Sequence, residues 1–257
     1  MSFAMRARYA RSLGVAGGLL LLIGSLGWGA CERLSSHTAS DSTAVYTYRT
    51  PSPGGTGKLY RGREIAAVTE HDRSVRWLER PEREEMEFPN RVVEALDLRP
   101  AEVVADIGAG TGYFSFRISP HVPAGRVLAV DIQPEMLDQI RARMREEGVT
   151  NIEPILGTVQ DPNLPPDAVD VALIVYSYHE FSHPHEMIQR IVAALKPGGR
   201  LVLVEYRGED PTILADPLRK LTEAQARKEM AGHGLLWSQT KDFLPQQHFM
   251  VFEKPLE

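Results

Sequence analysis

Residues 103–113 read VVADIGAGTGY: a short apolar run, three glycines at alternate positions, and then an aromatic residue that opens a helical period. Glycines are needed where backbone must turn sharply with positive φ and let a ligand approach within contact distance. A hydrophobic strand that empties into such a turn and leads straight into a helix is the unit from which parallel, helix-covered sheets are built.

From Pro89 onward the same alternation repeats, with apolar runs of four to six residues between helical periods, which favours a mostly parallel sheet covered by helices. Strands are expected at 102–107, 126–131, 152–156, 169–176, 200–206, 234–240 and 248–253. Helices are expected through Val92, Val93 and Leu96, over 112–119, and from Pro134, whose Met136, Leu137, Ile140 and Met144 share one face with Gly148 as a C-terminal stop. Ser182 is expected to cap a helix lined by Ile188, Ile191, Val192 and Leu195 that ends at Lys196-Pro197-Gly198-Gly199. Thr222 with Gln225 forms a capping box for a last helix through Ala231. The final two strands have no room for a crossover helix between them, so they pair as an antiparallel hairpin. The fold class is α/β: a Rossmann-like doubly wound seven-stranded sheet, mostly parallel, with a C-terminal antiparallel hairpin.

Asp131 ends the second of these strands nineteen residues past Gly112, where a carboxylate accepts both hydroxyls of a ribose. A dinucleotide fingerprint would be G-x-G-x-x-G, but here the third glycine comes one residue early and Tyr113 holds the place it needs, which disfavours a pyrophosphate cradle. The form D-x-G-x-G-x-G, Asp106 to Gly112, resembles motif I of the class I S-adenosylmethionine-dependent methyltransferases. VLAVDIQPEML, LGTVQDPNLPP and LKPGGRLVLVEY continue the resemblance in order, over roughly residues 88–255. It looks most like the ubiquinone and menaquinone biosynthesis type. The resemblance implies S-adenosyl-L-methionine as cofactor, with Asp106, Gly108, Gly110 and Gly112 around the methionyl group, Asp131 on the ribose and Ile132 beside the adenine. Relatives often place an aspartate after the glycine of the loop before strand four. Here Gly157 is followed by Thr158, so either the Thr158 hydroxyl and Val159 backbone meet the adenine amino group, or Asp161 does.

Methyl transfer is an in-line displacement that asks the protein to align an acceptor and exclude water, and acceptors of raised pKa need a base as well. The ends of strands four and five supply Tyr176, Tyr178, His179, Glu180, Glu205 and Tyr206, and His248 starts the last strand at the same rim. His179 and His248 are the candidate bases; Glu180 and Glu205 are candidates to orient an imidazole or bind a cationic acceptor. The plainer role of the two histidines is as polar pocket walls or helix-capping groups. His179-Glu180-Phe181-Ser182-His183 matches H-E-x-x-H, but that zinc signature works only on a continuous helix. Here it follows a buried strand and precedes Pro184, so no metal is assigned. The reading is methyl transfer to a small-molecule acceptor. Its competitors are an exported cofactor-pocket binding protein without turnover and a nicotinamide-dependent oxidoreductase.

The amino terminus carries Arg6, Arg8 and Arg11, then nineteen uncharged residues from Ser12 to Ala30, and then Cys31, the chain's one cysteine. Basic, apolar and small-residue regions in that order describe a secretory signal. Cys31 after Gly29 and Ala30 resembles the lipobox of bacterial lipoproteins, although Trp28 stands where that family prefers Leu, Val or Ile. A plain secreted protein and an uncleaved anchor helix are the other two readings, since nineteen apolar residues just span a ~30 Å bilayer core. The expected location is the periplasmic face of a bacterial membrane, reached through a lipid or anchor helix. Beyond residue 31 there are 26 basic against 34 acidic residues, which argues against a generic nucleic-acid grip. Residues 1–31 are thus read as signal or anchor, 32–58 as a disordered Ser/Thr/Pro/Gly tether, 59–87 as a helical lid segment offering Trp77, Arg80 and Arg83 to an acceptor, and 88–257 as the methyltransferase domain. A solvated charged face is the competing reading of the lid. Oligomeric state is not legible.

Overall fold

The computed structural model describes residues 44–68 and 78–256. The expected leader, the tether as far as residue 43 and Trp77 lie outside those residues. Among the described residues, no helix is long and apolar enough to cross a membrane.

The described residues form two sheets. The smaller is antiparallel, β1 (Tyr46–Tyr48), β2 (Gly55–Tyr60) and β3 (Arg63–Ala66) in that order. It corrects the expected tether from Tyr46 onward and the helical reading of 59–66. The scarcity of aliphatic residues pointed to disorder, but this sheet adds an aromatic ring and a buried carboxylate to the few aliphatic residues it has. Tyr60 and Ile65 are each 1% exposed. The Glu64 carboxylate takes bonds from Ser52 N at 3.0 Å and Gly57 N at 2.9 Å, and so ties the β1–β2 turn to β3.

The larger sheet follows a short helix α1 (Arg83–Glu87) and α2 (Pro89–Ala95). Its strands are β4 (Val103–Ile107), β5 (Arg126–Asp131), β6 (Ile152–Leu156), β7 (Val169–Val175), β8 (Leu195–Arg207), β9 (Lys220–Leu221), β10 (Leu236–Lys241) and β11 (Gln247–Glu253). The order is β10-β11-β8-β7-β4-β5-β6, and the two-residue β9 pairs with β8 as an eighth strand. Pairs from β6 to β8 are parallel, while β11 is antiparallel to β8 and to β10. The chain order reverses between β4 and β7, so their carboxyl ends open a crevice.

Strand periodicity distributes the core. Val104, Val171 and Leu173 pack on one face with α2, α3 (Tyr113–Ile118) and α4 (Pro134–Glu147). Ala105, Ala172 and Ile174 pack on the other with α5 (Pro184–Ala194) and α6 (Glu223–Ala231). Two helix boundaries differ from expectation. Ser182 does not cap α5; His183 holds that position without a side-chain capping bond, and Pro184 starts the helix. Lys196 to Gly199 belongs to β8 and not to the helix end. The Thr222 hydroxyl does cap α6, accepting from Gln225 N at 3.1 Å.

Candidate active site

The crevice at the carboxyl ends of β4, β5, β7 and β8 holds a cavity of about 770 Å³. Gly108 and Gly110 form its floor with φ of +76° and +55°. A Cβ on Gly108 would stand 2.7 Å from Ser177 Oγ, and one on Gly110 would stand 2.6 Å from Leu78 Cδ1. The bend therefore needs glycine for conformation and for clearance alike. The Gly108 and Ala109 amides both donate to Val130 O, at 2.8 and 2.9 Å, which pins the bend to the end of β5.

Asp131 faces this bend. Its carboxylate accepts from Gly110 N at 2.8 Å and from Gln133 N at 2.9 Å, and with Ile132 and Val159 it lines the cavity. These residues fit an amino-acid nucleoside: a glycine cradle that a side chain would fill, an acid for ribose hydroxyls, and exposed aliphatic groups beside it.

Other expected cofactor residues lie away from the cavity. Asp106 is buried behind the bend, where its carboxylate accepts from Ser115 Oγ at 2.6 Å and staples β4 to α3. Burial pushes its pKa up to about 6, against the pull of Ser115 and Arg83. Gly112 is a packing position, since a Cβ there would meet Phe116 at 2.9 Å and Ile140 at 3.0 Å. Thr158 uses its hydroxyl within its own loop, accepting from Asp161 N at 2.9 Å and Gln160 N at 3.2 Å. Asp161 pairs with Arg190 at 3.2 Å. Of that loop, Val159 is the residue on the cavity.

The opposite wall is polar. His179, on the turn after β7, lines the cavity and is 3% exposed. Its Nδ1 meets Glu205 Oε2 at 2.9 Å, and its backbone N–H donates to Glu205 Oε1 at 3.3 Å. Glu205 is fully buried behind the ring, so it orients the imidazole and does not reach the cavity. On the other side Arg219 Nη1 lies 3.2 Å from His179 Nε2 and donates to Glu180 Oε1 at 2.7 Å. Burial disfavours the charged ring, but the Glu205 and Glu180 carboxylates outweigh it and raise the pKa to about 9. A cationic imidazole has no lone pair for an Arg219 N–H. The Arg219 contact thus belongs to the neutral ring with Nδ1 protonated, and the cation leaves Arg219 to Glu180.

His248 is not part of this wall. It stands opposite Glu205 in the β8–β11 register, but its Nε2 pairs with Glu209 at 2.8 Å. The expected lid is also redistributed. Arg83 is 2% exposed, pairs with Glu87 at 2.6 Å and stacks 3.8 Å over the Tyr113 ring. Arg80 bonds to Glu87 as well. Arg83 holds the segment onto α3 and Arg80 bonds within it; Leu78 and Met86 are what it presents to the cavity. The H-E-x-x-H residues are split between a 3-10 turn at Tyr178–Glu180 and the start of α5. Among the described residues, no group of three or more His, Cys, Asp or Glu side chains is placed to hold a metal.

Arg219, Asp216 and Gln246 line the cavity without having been marked by the sequence. They sit in connections after β8 and β10, and the available signal was topological: a loop leaving the carboxyl end of β8 must start at the crevice.

Comparisons with known proteins agree with this geometry. Residues 104–199 match the family model described as a methyltransferase domain. YcgJ of Bacillus subtilis, an uncharacterized methyltransferase, is 31% identical over 123 residues, 48% of this chain and 48% of its own. The ubiquinone/menaquinone biosynthesis C-methyltransferase UbiE of Ectopseudomonas mendocina is 30% identical over 125 residues, 48% of this chain and 49% of its own. The chain spans about half the length of these curated relatives. A crystal structure of an S-adenosylmethionine-dependent methyltransferase from Aquifex aeolicus superposes with a TM-score of 0.67 at 21% identity, covering 72% of this chain and 99% of that one. Residues 104–199 thus match a methyltransferase domain, and the fold is shared with that S-adenosylmethionine-dependent methyltransferase from Aquifex aeolicus.

Proposed function

We propose that the protein transfers a methyl group from S-adenosylmethionine to a small-molecule acceptor whose O–H or N–H must lose a proton, with His179 as the general base. The observation that carries this reading is the 2.9 Å contact between His179 Nδ1 and the buried Glu205 in the wall of the cavity that also holds Gly108, Gly110 and Asp131. Glu205 fixes the tautomer that leaves Nε2 toward the cavity, the arrangement in which an oriented imidazole takes a proton. The bound cofactor supplies an electrophilic methyl group. The chain's own tasks are to hold the nucleoside at the glycine bend, align the acceptor and take its proton at Nε2. Arg219 must give up its contact with Nε2 for that step, and Glu180 is already in place to keep it.

Formation of S-adenosylhomocysteine across a panel of phenolic, hydroxyl and heterocyclic N–H acceptors tests the reading. With an accepted substrate, His179→Asn is expected to reduce turnover about 10²- to 10⁴-fold while leaving S-adenosylhomocysteine affinity within about twofold. Base action needs the neutral ring, and the ring's pKa is raised to about 9. The wild-type rate should therefore climb as pH rises toward that value, and the climb should vanish in the variant. A variant that keeps wild-type turnover would remove His179 from the chemistry.

Export to the periplasmic face with lipid attachment at Cys31 is the accompanying proposal, supported by the basic, apolar and small-residue order of residues 6–31. Cys31→Ala is expected to move the protein from the membrane to the soluble fraction after cell lysis. Attachment that persists, with no lipid mass on the wild-type protein, would mean an anchor helix instead.

A further inference from the structure

Two adjacent residues on the turn after β7 are each tied to a fully buried carboxylate. His179 is tied to Glu205 on β8, as described. Tyr178, 0% exposed, donates from Oη to Glu229 Oε2 at 2.5 Å. Glu229 lies on α6 with 0% exposure, and three residues converge on it. Arg63 of β3 binds it with two parallel N–H bonds, Nε to Oε1 and Nη2 to Oε2, both at 2.9 Å. Gln225 Nε2 donates to Oε1 at 2.7 Å. The Arg63 guanidinium also lies 4.9 Å from the Tyr178 ring centroid. The turn is thus gripped by side chains from β3, α6 and β8, and β3 packs on both the Tyr178–Glu180 turn and the turn at Pro217–Arg219.

Such a grip has a functional consequence. A planar, bidentate arginine–carboxylate pair holds its geometry more tightly than a single bond, and burial makes each of these bonds costly to leave unmade. An imidazole that must present Nε2 to a substrate within a few tenths of an ångström depends on the backbone that carries it. The turn is anchored on its two sides, by Glu229 through the Tyr178 hydroxyl and by Glu205 through the His179 backbone N–H and ring. Moreover, β3 lies outside residues 104–199, the segment that matches the methyltransferase domain.

We propose that Tyr178, held through Glu229 by Arg63, is the positioning residue for the His179 imidazole, and that the three-stranded sheet is thereby a working part of the catalytic site. This rests on the reading of His179 as the base, but its test does not require turnover. The groups facing the His179 ring are Glu205 from β8, Glu180 from its own turn and Arg219 from the turn before β9. If the Glu205 contact loosens, the ring loses the partner that raises its proton affinity.

The experiment follows the His179 ring in the full chain by NMR titration, in the wild type, Tyr178→Phe, Arg63→Lys and the control Tyr46→Phe. Tyr46 also joins the small sheet to the larger domain by a tyrosine–carboxylate bond, Oη to Glu186 at 2.5 Å, but it does not touch the turn. Tyr178→Phe and Arg63→Lys are each expected to bring the titration of His179 down by at least one pH unit toward 6.5. Affinity for S-adenosylhomocysteine should stay within about twofold, and Tyr46→Phe should move neither. With an accepted substrate, kcat should fall at least tenfold in Tyr178→Phe with KM little changed. A folded Tyr178→Phe protein with an unchanged His179 titration would overturn the proposal, as would an equal shift in Tyr46→Phe. Should Tyr178→Phe not fold, Arg63→Lys decides by the same criterion, and if both unfold the residues are structural supports and the proposal fails. Failure of the base reading is seen separately, as a His179→Asn enzyme that still turns over.

Discussion

Replacing Arg63 by alanine is expected to lower the stability of the protein by about 3–5 kcal/mol, the cost of stranding a buried carboxylate after its partner is removed. Arg63 and Glu229 have side-chain exposures of 9% and 0%. Water therefore has little access to solvate whichever charge remains. Burial works against the Arg63 charge, but the Glu229 carboxylate outweighs it and holds the guanidinium above its ordinary pKa. The variant leaves Glu229 with Tyr178 and Gln225 as donors, neither of them charged. Urea denaturation with an unchanged slope and a lower midpoint would report the loss as stability. The double variant Arg63→Met with Glu229→Met is expected to recover only part of it, because it removes the stranded charge but leaves the buried Tyr178 hydroxyl without its acceptor. A single-variant loss below about 1 kcal/mol, typical of exposed pairs, would show that solvent reaches Glu229.

The larger sheet was legible because its signals are local. Val169 to Val175 is apolar enough to be buried on both faces, Pro134 and Gly148 bracket α4, and glycine at 108 and 110 marks a bend of positive φ. The short connection from β10 to β11 announced a hairpin. The small sheet was not legible, because composition searches for aliphatic cores and this one buries Tyr60 and the Glu64 carboxylate beside a few aliphatic residues. Its partners are also remote in sequence, with Arg63 and Glu229 separated by 166 positions.

The site divides along the same boundary. Gly108, Gly110, Asp131 and Ile132 stand at the crevice because the first strands and their turns put them there, and those strands and turns are local signals. His179 and Glu205 lie on neighbouring strand ends, β7 and β8, so a polar cluster on two adjacent parallel strands was enough to bring them together. His248 failed for a physical reason: strand polarity put it at the correct rim, but Glu209 gave its imidazole a partner on another side. Asp106 and Gly112 stand off the cavity, because a motif residue can also serve packing. Asp106 bonds to Ser115, and Gly112 makes room for Phe116 and Ile140.

Asp131→Ala is expected to weaken binding of S-adenosylhomocysteine by about 1.5–3 kcal/mol, the range of a hydrogen bond to a charged group, or about 10- to 150-fold in Kd at 1.4 kcal/mol per decade. The carboxylate acts twice. It holds the Gly110 amide at 2.8 Å and the Gln133 amide at 2.9 Å, shaping the bend before any ligand arrives. A carboxylate accepts at about four sites, so it can serve the bend and a ribose together. Asn keeps one side-chain acceptor but has no charge, so Asp131→Asn should lose less affinity than Asp131→Ala if shaping the bend matters. If the two variants lose equally, the charge-assisted bond to the ribose accounts for the whole effect. Isothermal calorimetry on the two variants separates these contributions. Unchanged affinity in the alanine variant would place the ribose elsewhere in the crevice and remove the link between the glycine bend and the nucleoside.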